Sequence, residues 1–375
     1  ITRLESNYMS LHSYVDQPVH DLWAWEYLLA FMGEDTVTHH VDLPGVVASN
    51  GAATVMVNLV SITKAINGQE DTDPYVISVY LNGVDIGTDT WAENGDWQFR
   101  RVIPSGVIKA GQNEVRIVSK ATGGVTYSLI YLDSIEIEYQ RQYQAVNGTL
   151  AFNSGEHKMI TVTGFNSAQA LALDITDPNK PIEVGGKIDS AGSGATYTLL
   201  TQPHHSYLAT EHIDTSVDYN IWIDTPSDLR NPANQADYLV ISPMNMLASA
   251  QRLADYRQTQ GLLTKVVDIE DVQDEFSHSL PVPEAVRNLL EYAYSNWATP
   301  PRYVVLIGDG SYDYKDYLGH GTPVLPSMLV ATEDGFYPSD NVLADVSGTD
   351  GGPEFALRRI PVLKPAELDA YIDKL

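Results

Sequence analysis

The side chains able to do chemistry in this 375-residue chain are carboxylates and histidines, because it contains no cysteine. Without a thiol the chain offers no cysteine nucleophile, no thiolate zinc site and no disulfide. The 10 histidines stand at positions 12, 20, 39, 40, 157, 204, 205, 212, 278 and 320. None lies in His-Glu-x-x-His, the spacing that sets two imidazoles and a glutamate around one zinc on a helix. His39-His40 and His204-His205 are adjacent pairs in strand-like sequence, where neighbours point to opposite faces. They read as surface or satisfied polar histidines rather than a shared metal site. Gly308-Asp309-Gly310-Ser311-Tyr312-Asp313 comes close to two motifs and completes neither. A dinucleotide fingerprint needs a third glycine where Asp313 stands, and Asp309 would repel a pyrophosphate. A nucleophile elbow needs Gly-x-Ser-x-Gly, whereas Ser311 has Asp309 and Asp313 at the flanking positions, so a turn residue is expected there.

A carboxylate-rich stretch follows, with Asp334, Asp340, Asp345, Asp350 and Glu354 punctuated by Gly348, Gly351 and Gly352. Hard oxygen ligands on a glycine-bent loop suit calcium, although the spacing is not that of an EF-hand. A solvated acidic loop explains the same residues equally well on spacing alone. Lys and Arg number 22 against 49 Asp and Glu, a net charge of −27. A phosphate-backbone binder needs a basic face, and so does docking on an anionic membrane surface. Neither nucleic acid nor membrane is an expected partner. The longest apolar runs are strand-sized, too short to span a bilayer as a helix.

The elements that would hold these residues change character along the chain. Over 1–145, short β-branched and aromatic runs alternate with turn signals: Val55–Val60, Tyr75–Leu81, Val84–Gly87, Trp97–Ile103, Glu114–Val118, Tyr127–Leu132 and Ile135–Tyr139. Asn82-Gly83 is a tight-turn signal between two of them. Many short strands of this kind predict a β-sandwich or jelly roll. Over 146–232 shorter strands continue, at Leu150–Phe152, Met159–Val162, Ala170–Ile175 and Ala195–Leu200, as a small β module. The run 224–232 reads as a linker. From 233 to 375 the period switches. Continuous apolar strands at Tyr238–Ile241, Thr264–Ile269 and Tyr303–Gly308 alternate with helices over 247–260, from Pro283 to about Trp297, and from near Pro365. Such alternation predicts βαβ units and a mostly parallel sheet. The fold class is therefore multidomain: all-β sandwich modules followed by an α/β domain.

Residues 237–375 resemble the gingipain-type cysteine peptidases, family C25 of clan CD. The matching stretches are 248–261, closing in Tyr-Arg-x-x-Gln-Gly; 268–277; Pro283 to Leu290; Pro301 to Asp309; Tyr337-Pro338-Ser339-Asp340-Asn341; and Arg358-Arg359-Ile360-Pro361-Val362. The upstream part resembles the accessory β domains that precede this peptidase domain, and Leu81-Asn82-Gly83, Gly111-Gln112-Asn113 and Leu132-Asp133-Ser134-Ile135 resemble a galactose-binding-type jelly roll. The resemblance implies caspase-like α/β architecture and a Cys–His dyad placed after the Arg-x-Pro-Val motif, beyond residue 375. His320-Gly321 imitates the family's catalytic dipeptide but precedes Ser339-Asp340, so no catalytic residue carries over. The loop Gly348 to Glu354 takes the position of a family calcium loop, with Asp350 and Glu354 matching and Asp345 and Asp340 near enough in sequence to join them. Both chain ends read as cut, so the expectation is the N-terminal part of a secreted bacterial cysteine endopeptidase, inactive as this piece. Its protein substrates would be met through the catalytic half, and glycans through the jelly roll, with Trp91 and Trp97 either as sugar platforms or as core residues. The rival reading is a non-catalytic extracellular scaffold that binds glycans or proteins.

Overall fold

The computed structural model describes residues 1–11, 22–47, 53–62, 75–122, 127–191, 194–212, 226–321, 325–332, 335–348 and 351–375. The chain divides into two compact units, Ile1–Ser6 with Ala24–Ile221, and Asn7–Trp23 with Trp222–Leu375.

The first unit opens with a sandwich of two antiparallel sheets. One holds Thr2–Glu5, Glu26–Phe31, Ala53–Ser61, Gly95–Ile103 and Tyr127–Glu138; the other holds Glu34–Leu43, Tyr75–Leu81, Val84–Trp91 and Gly111–Lys120. Strict alternation builds the core between them. Tyr75, Ile77, Val79 and Leu81 are fully buried and meet Val55, Val57 and Phe99. Asn82 (φ 50°) and Gly83 (φ 80°) form the two-residue hairpin that returns Leu81 to Val84. Positive φ at both central residues is what this turn requires, and Asn-Gly supplies it with little strain. The two strands expected at Tyr127–Leu132 and Ile135–Tyr139 are one strand, Tyr127–Glu138, whose register shifts between Leu132 and Ser134. The shift has a clear cause. Ile130 and Leu132 are buried at even positions and Ile135 and Ile137 at odd ones. Only an extra residue in the ladder puts both pairs on the same face.

The same unit contains a smaller pair of sheets. Thr149–Asn153, Ser206–Thr210, Leu171–Asp174 and Ile182–Val184 form one, and Met159–Phe165, Gly194–Leu200 and Gly186–Ala191 the other. Ile160, Val162, Phe165, Ala172, Tyr197, Leu199 and Tyr207 fill the space between.

The second unit is α/β. Four parallel strands run in the order Thr264–Asp268, Tyr238–Ser242, Tyr303–Ile307, Ala356–Ile360. The helices are α1 (Leu247–Thr259), α2 (Ile269–Ser277), α3 (Glu284–Asn296), the single turn α4 (Asn341–Ala344) and α5 (Pro365–Ile372). Leu239, Ile241, Val304 and Leu306 face α2 and α3 through Val272, Val286, Leu289 and Leu290. Tyr238, Val240, Val305 and Ile307 face α1 and α5 through Ala250, Leu253, Leu368 and Ile372. Burial on both faces is why these strands read as unbroken apolar runs. Gly261 (φ 85°) ends α1 where the sequence places a stop. Helix α2 has no counterpart in the sequence reading: the strand Thr264–Asp268 runs directly into it. Asp268 caps it, its carboxylate accepting the Glu270 N–H at 3.1 Å.

The stretch read as a linker is packed down. Leu229 is buried, and Glu275 accepts hydrogen bonds from the Ser227 hydroxyl (2.5 Å) and from the backbone N–H of Leu229 (2.8 Å) and Arg230 (3.0 Å). Trp297 Nε1 donates to the Leu229 carbonyl. Asp224 and Thr225 lie outside the described residues. Among those described, no helix is long and apolar enough to cross a membrane, which says nothing of spanning strands.

Candidate functional site

In an open parallel sheet the crevice at the carboxyl ends of the strands is where side chains and loops converge. Here those ends are Ser242, Asp268, Ile307 and Ile360. Gly308 leaves the central strand at φ 131° with its N–H on the Ile360 carbonyl at 3.0 Å. The loop that follows is held by its own side chains. Ser311 Oγ accepts the Asp313 N–H at 3.0 Å, the turn role expected of it. Asp313 is buried, and its two oxygens accept the N–H groups of Tyr317 (2.9 Å) and Leu318 (2.8 Å). Gly310 sits against Ser327, so close that a Cβ there would fall 2.3 Å from Ser327 Oγ. The Tyr314 hydroxyl donates to the Ser327 carbonyl. Burial, with the Glu284 charge adding to it, pushes the Tyr314 phenol up to about 12. From the N-terminal segment of the same unit, Trp23 packs edge-on against Tyr317, with ring centroids 4.9 Å apart. That contact has no sequence signal, because almost 300 residues separate the partners.

Arg359 ties this end of the sheet together. Its guanidinium forms a two-pronged pair with Asp340 at 2.7 Å on each oxygen, and donates to the carbonyls of Gly308 (3.1 Å) and Leu325 (2.7 Å). The two motifs Ser339-Asp340 and Arg358-Arg359-Ile360-Pro361, read separately in the sequence, thus meet through one ion pair.

The proposed calcium residues are placed as follows. Asp340 has both oxygens on Arg359. Glu354 turns back onto its loop, one oxygen accepting the N–H groups of Val346 (2.7 Å) and Ser347 (3.2 Å). Asp345 follows α4, and its backbone carbonyl accepts from Arg287 at 3.1 Å. Asp350 and Asp334 lie outside the described residues. Among the described residues no three His, Asp or Glu side chains form a group suited to a metal ion.

His39-His40 lies in the strand Glu34–Leu43 and is divided between its faces, as neighbours in a strand must be, whereas His204-His205, expected in a strand, forms a turn ahead of Ser206–Thr210 with His204 at φ 61°. His39 contacts Glu26 while His40 is exposed on the other face. His204 lies 2.8 Å from Glu156, and His205 Nδ1 lies 2.7 Å from Asp174. Burial pushes the Asp174 carboxyl up, but hydrogen bonds from Thr176 and His205 outweigh it and hold the group below its ordinary value. His12 and His20 lie outside the described residues. In the jelly roll Trp91 is buried, stacked between Tyr75 (5.2 Å) and Trp97 (4.9 Å), with its indole N–H on Ser61. Trp97 is half-buried against the same core and donates to Asp89. The core role holds for Trp91, and Trp97 packs beside it.

An α/β unit with a carboxyl-end crevice, preceded by β-sandwich modules, defines the class. Residues 231–375 match the family model described as peptidase family C25. The segment whose motifs resemble the gingipain-type family is the one that this family model matches. No curated relative matches the chain. Among solved structures it is similar to dimeric latent PorU from Porphyromonas gingivalis, with a TM-score of 0.59 and 18% identity, over 99% of this chain and 39% of that one. The chain therefore spans about two fifths of that protein's length, and the likeness is one of fold. A structure described as a protease scores 0.29 at 19% identity, over 39% of this chain and 28% of that one. A family 35 carbohydrate-binding module from an environmental isolate scores 0.25 at 14% identity, over 38% of this chain and 95% of that one. Scores this low carry no argument.

Proposed function

We propose that this chain is the N-terminal part of a secreted, gingipain-like cysteine endopeptidase, and that it is catalytically silent alone. The observation that carries the reading is the C25 match over 231–375, on a fold that follows PorU across nearly the whole chain. The chain has no cysteine, so attack on a peptide carbonyl needs a thiolate supplied from sequence beyond residue 375. What this chain contributes is the crevice floor. The loop from Gly308, Asp313 and Arg359 fix where a substrate backbone could lie, and the β modules stand ahead of it in the chain. Assay of residues 1–375 on mixed peptide substrates is expected to give no turnover. Turnover that survives purification and inhibitor controls by class would overturn the proposal.

We also propose calcium for the loop Gly348 to Glu354, through Asp350, Glu354 and Asp345, with Asp340 committed to Arg359. Both hydrogen bonds of Glu354 fall on one oxygen, and Gly348, Gly351 and Gly352 permit the tight bends that an arc of carbonyl ligands needs. A cation bound only by the folded state raises the melting temperature, by about 2.7 kcal/mol of stability at a hundredfold excess over Kd. Melts in EDTA and then in millimolar calcium are expected to differ, and the double substitution Asp350→Ala with Glu354→Ala is expected to abolish the difference. Identical melts would leave the loop as a solvated acidic turn.

A further inference from the structure

Arg359 is nearly enclosed, with its side chain 11% exposed. Four oxygens surround its guanidinium: both carboxylate oxygens of Asp340 and the carbonyls of Gly308 and Leu325. They come from three separate places at the carboxyl end of the sheet. Gly308 leaves the strand Tyr303–Ile307, Leu325 returns from the long loop, and Asp340 precedes α4. A carboxylate and two carbonyls converging on one point form the kind of oxygen cage that a divalent cation takes. Here a guanidinium fills it.

We infer that Arg359 is the positioning residue of the crevice, a built-in cation whose planar fork fixes Gly308, Leu325 and Asp340 relative to one another. Geometry matters more than charge in this arrangement. Two parallel N–H bonds engage the carboxylate while Nη1 reaches the carbonyls, and a lysine ammonium, with its donors at one point, cannot span both. Removing either partner leaves the other charge uncompensated and largely out of water, with Arg359 11% and Asp340 24% exposed. Arg358, the next residue, is exposed and takes no part. The inference rests on reading this crevice as the peptidase site and names what shapes it. Its test reads exchange rather than proteolysis, so the two ideas fail separately.

The experiment is residue-level hydrogen exchange on the 375-residue chain, comparing wild type with Arg359→Met, Arg359→Lys, Asp340→Asn and Arg358→Met. The reporters are the amides of Gly308, Leu325 and Ser339, which bond to Ile360, Asp309 and Met328. In Arg359→Met and Arg359→Lys these amides are expected to exchange at least about tenfold faster, because local opening sets the rate. The strands of the small β module and the Arg358→Met control are expected to stay at wild-type rates. Should Arg359→Met fail to fold, Asp340→Asn, which keeps an acceptor and removes the charge, reads the same three amides and is expected to speed them. Wild-type rates in Arg359→Lys would reduce Arg359 to a point charge and overturn the inference, as would unchanged exchange in Asp340→Asn.

Discussion

The most displaced titration near the crevice belongs to Tyr314, whose phenol is driven up to about 12 from an ordinary 10.0 by burial. A raised phenol favours the neutral form in the fold. Its contribution to stability is whole below pH 10 and is lost as pH climbs toward 12. Spectrophotometric titration of tyrosinate absorbance is expected to show a late-ionising group near the end of that range. The Tyr314→Phe variant is expected to lack it. A titration that is complete by pH 11 in both proteins would contradict the placement of Tyr314. Asp174 behaves in the opposite sense. Its carboxyl is held low by Thr176 and His205, so its contribution is present above the usual carboxylate range and disappears as pH falls through the lowered value. Acid unfolding of the Asp174→Asn variant is expected to begin from lower stability at neutral pH and to depend less on pH below 4. An acid limb identical to that of wild type would remove that role.

At the scale of elements, Glu275 is the clip that joins the 226–232 stretch to α2. It accepts one hydroxyl and two backbone donors there, and Arg230 stacks over Phe276 with 4.3 Å between guanidinium carbon and ring centre. Glu275→Ala leaves these donors without their acceptor and is expected to cost on the order of 1–3 kcal/mol in urea unfolding. A loss below the error of extrapolation would return this stretch to the status of a free linker. Gly164 gives a second test. At φ 84°, a Cβ there would lie 2.6 Å from the Ala145 carbonyl, which is backbone and cannot rotate away. Gly164→Ala is expected to destabilise by about 1–3 kcal/mol, and an unchanged melting temperature would contradict the small module's close packing.

These elements also show what the sequence could convey. The hairpin at Asn82-Gly83, the helix stopped by Gly261 and the doubly buried strands Tyr238–Ser242 and Tyr303–Ile307 were legible because each rests on local chemistry. Helix α2 was hidden because no glycine or proline separates it from the preceding strand. Glu34–Leu43 escaped because its outward positions carry Thr, His and Asp and its burial is largely partial. The single strand Tyr127–Glu138 looked like two because its parity switches midway. The crevice was legible as a location, from the glycines after an apolar strand. Its contents were not. The Asp340–Arg359 pair, the carbonyls of Gly308 and Leu325, and Trp23 on Tyr317 are contacts between distant residues, and no local spacing encodes them.

For the whole molecule, charge and fold point the same way. A net charge of −27 leaves a nucleic-acid role without its attractive term, and the α/β unit carries the peptidase match. On the proposed reading, peptide hydrolysis requires a thiolate that residues 1–375 do not contain. The direct measurement is labelling by a thiol-directed, peptide-based activity probe, run alongside turnover, on residues 1–375 and on the gene product continued past Leu375. No label and no turnover are expected from residues 1–375. From the longer product both are expected, together and abolished by prior alkylation. Turnover by residues 1–375 alone, or a longer product that alkylation leaves unchanged, would contradict that reading.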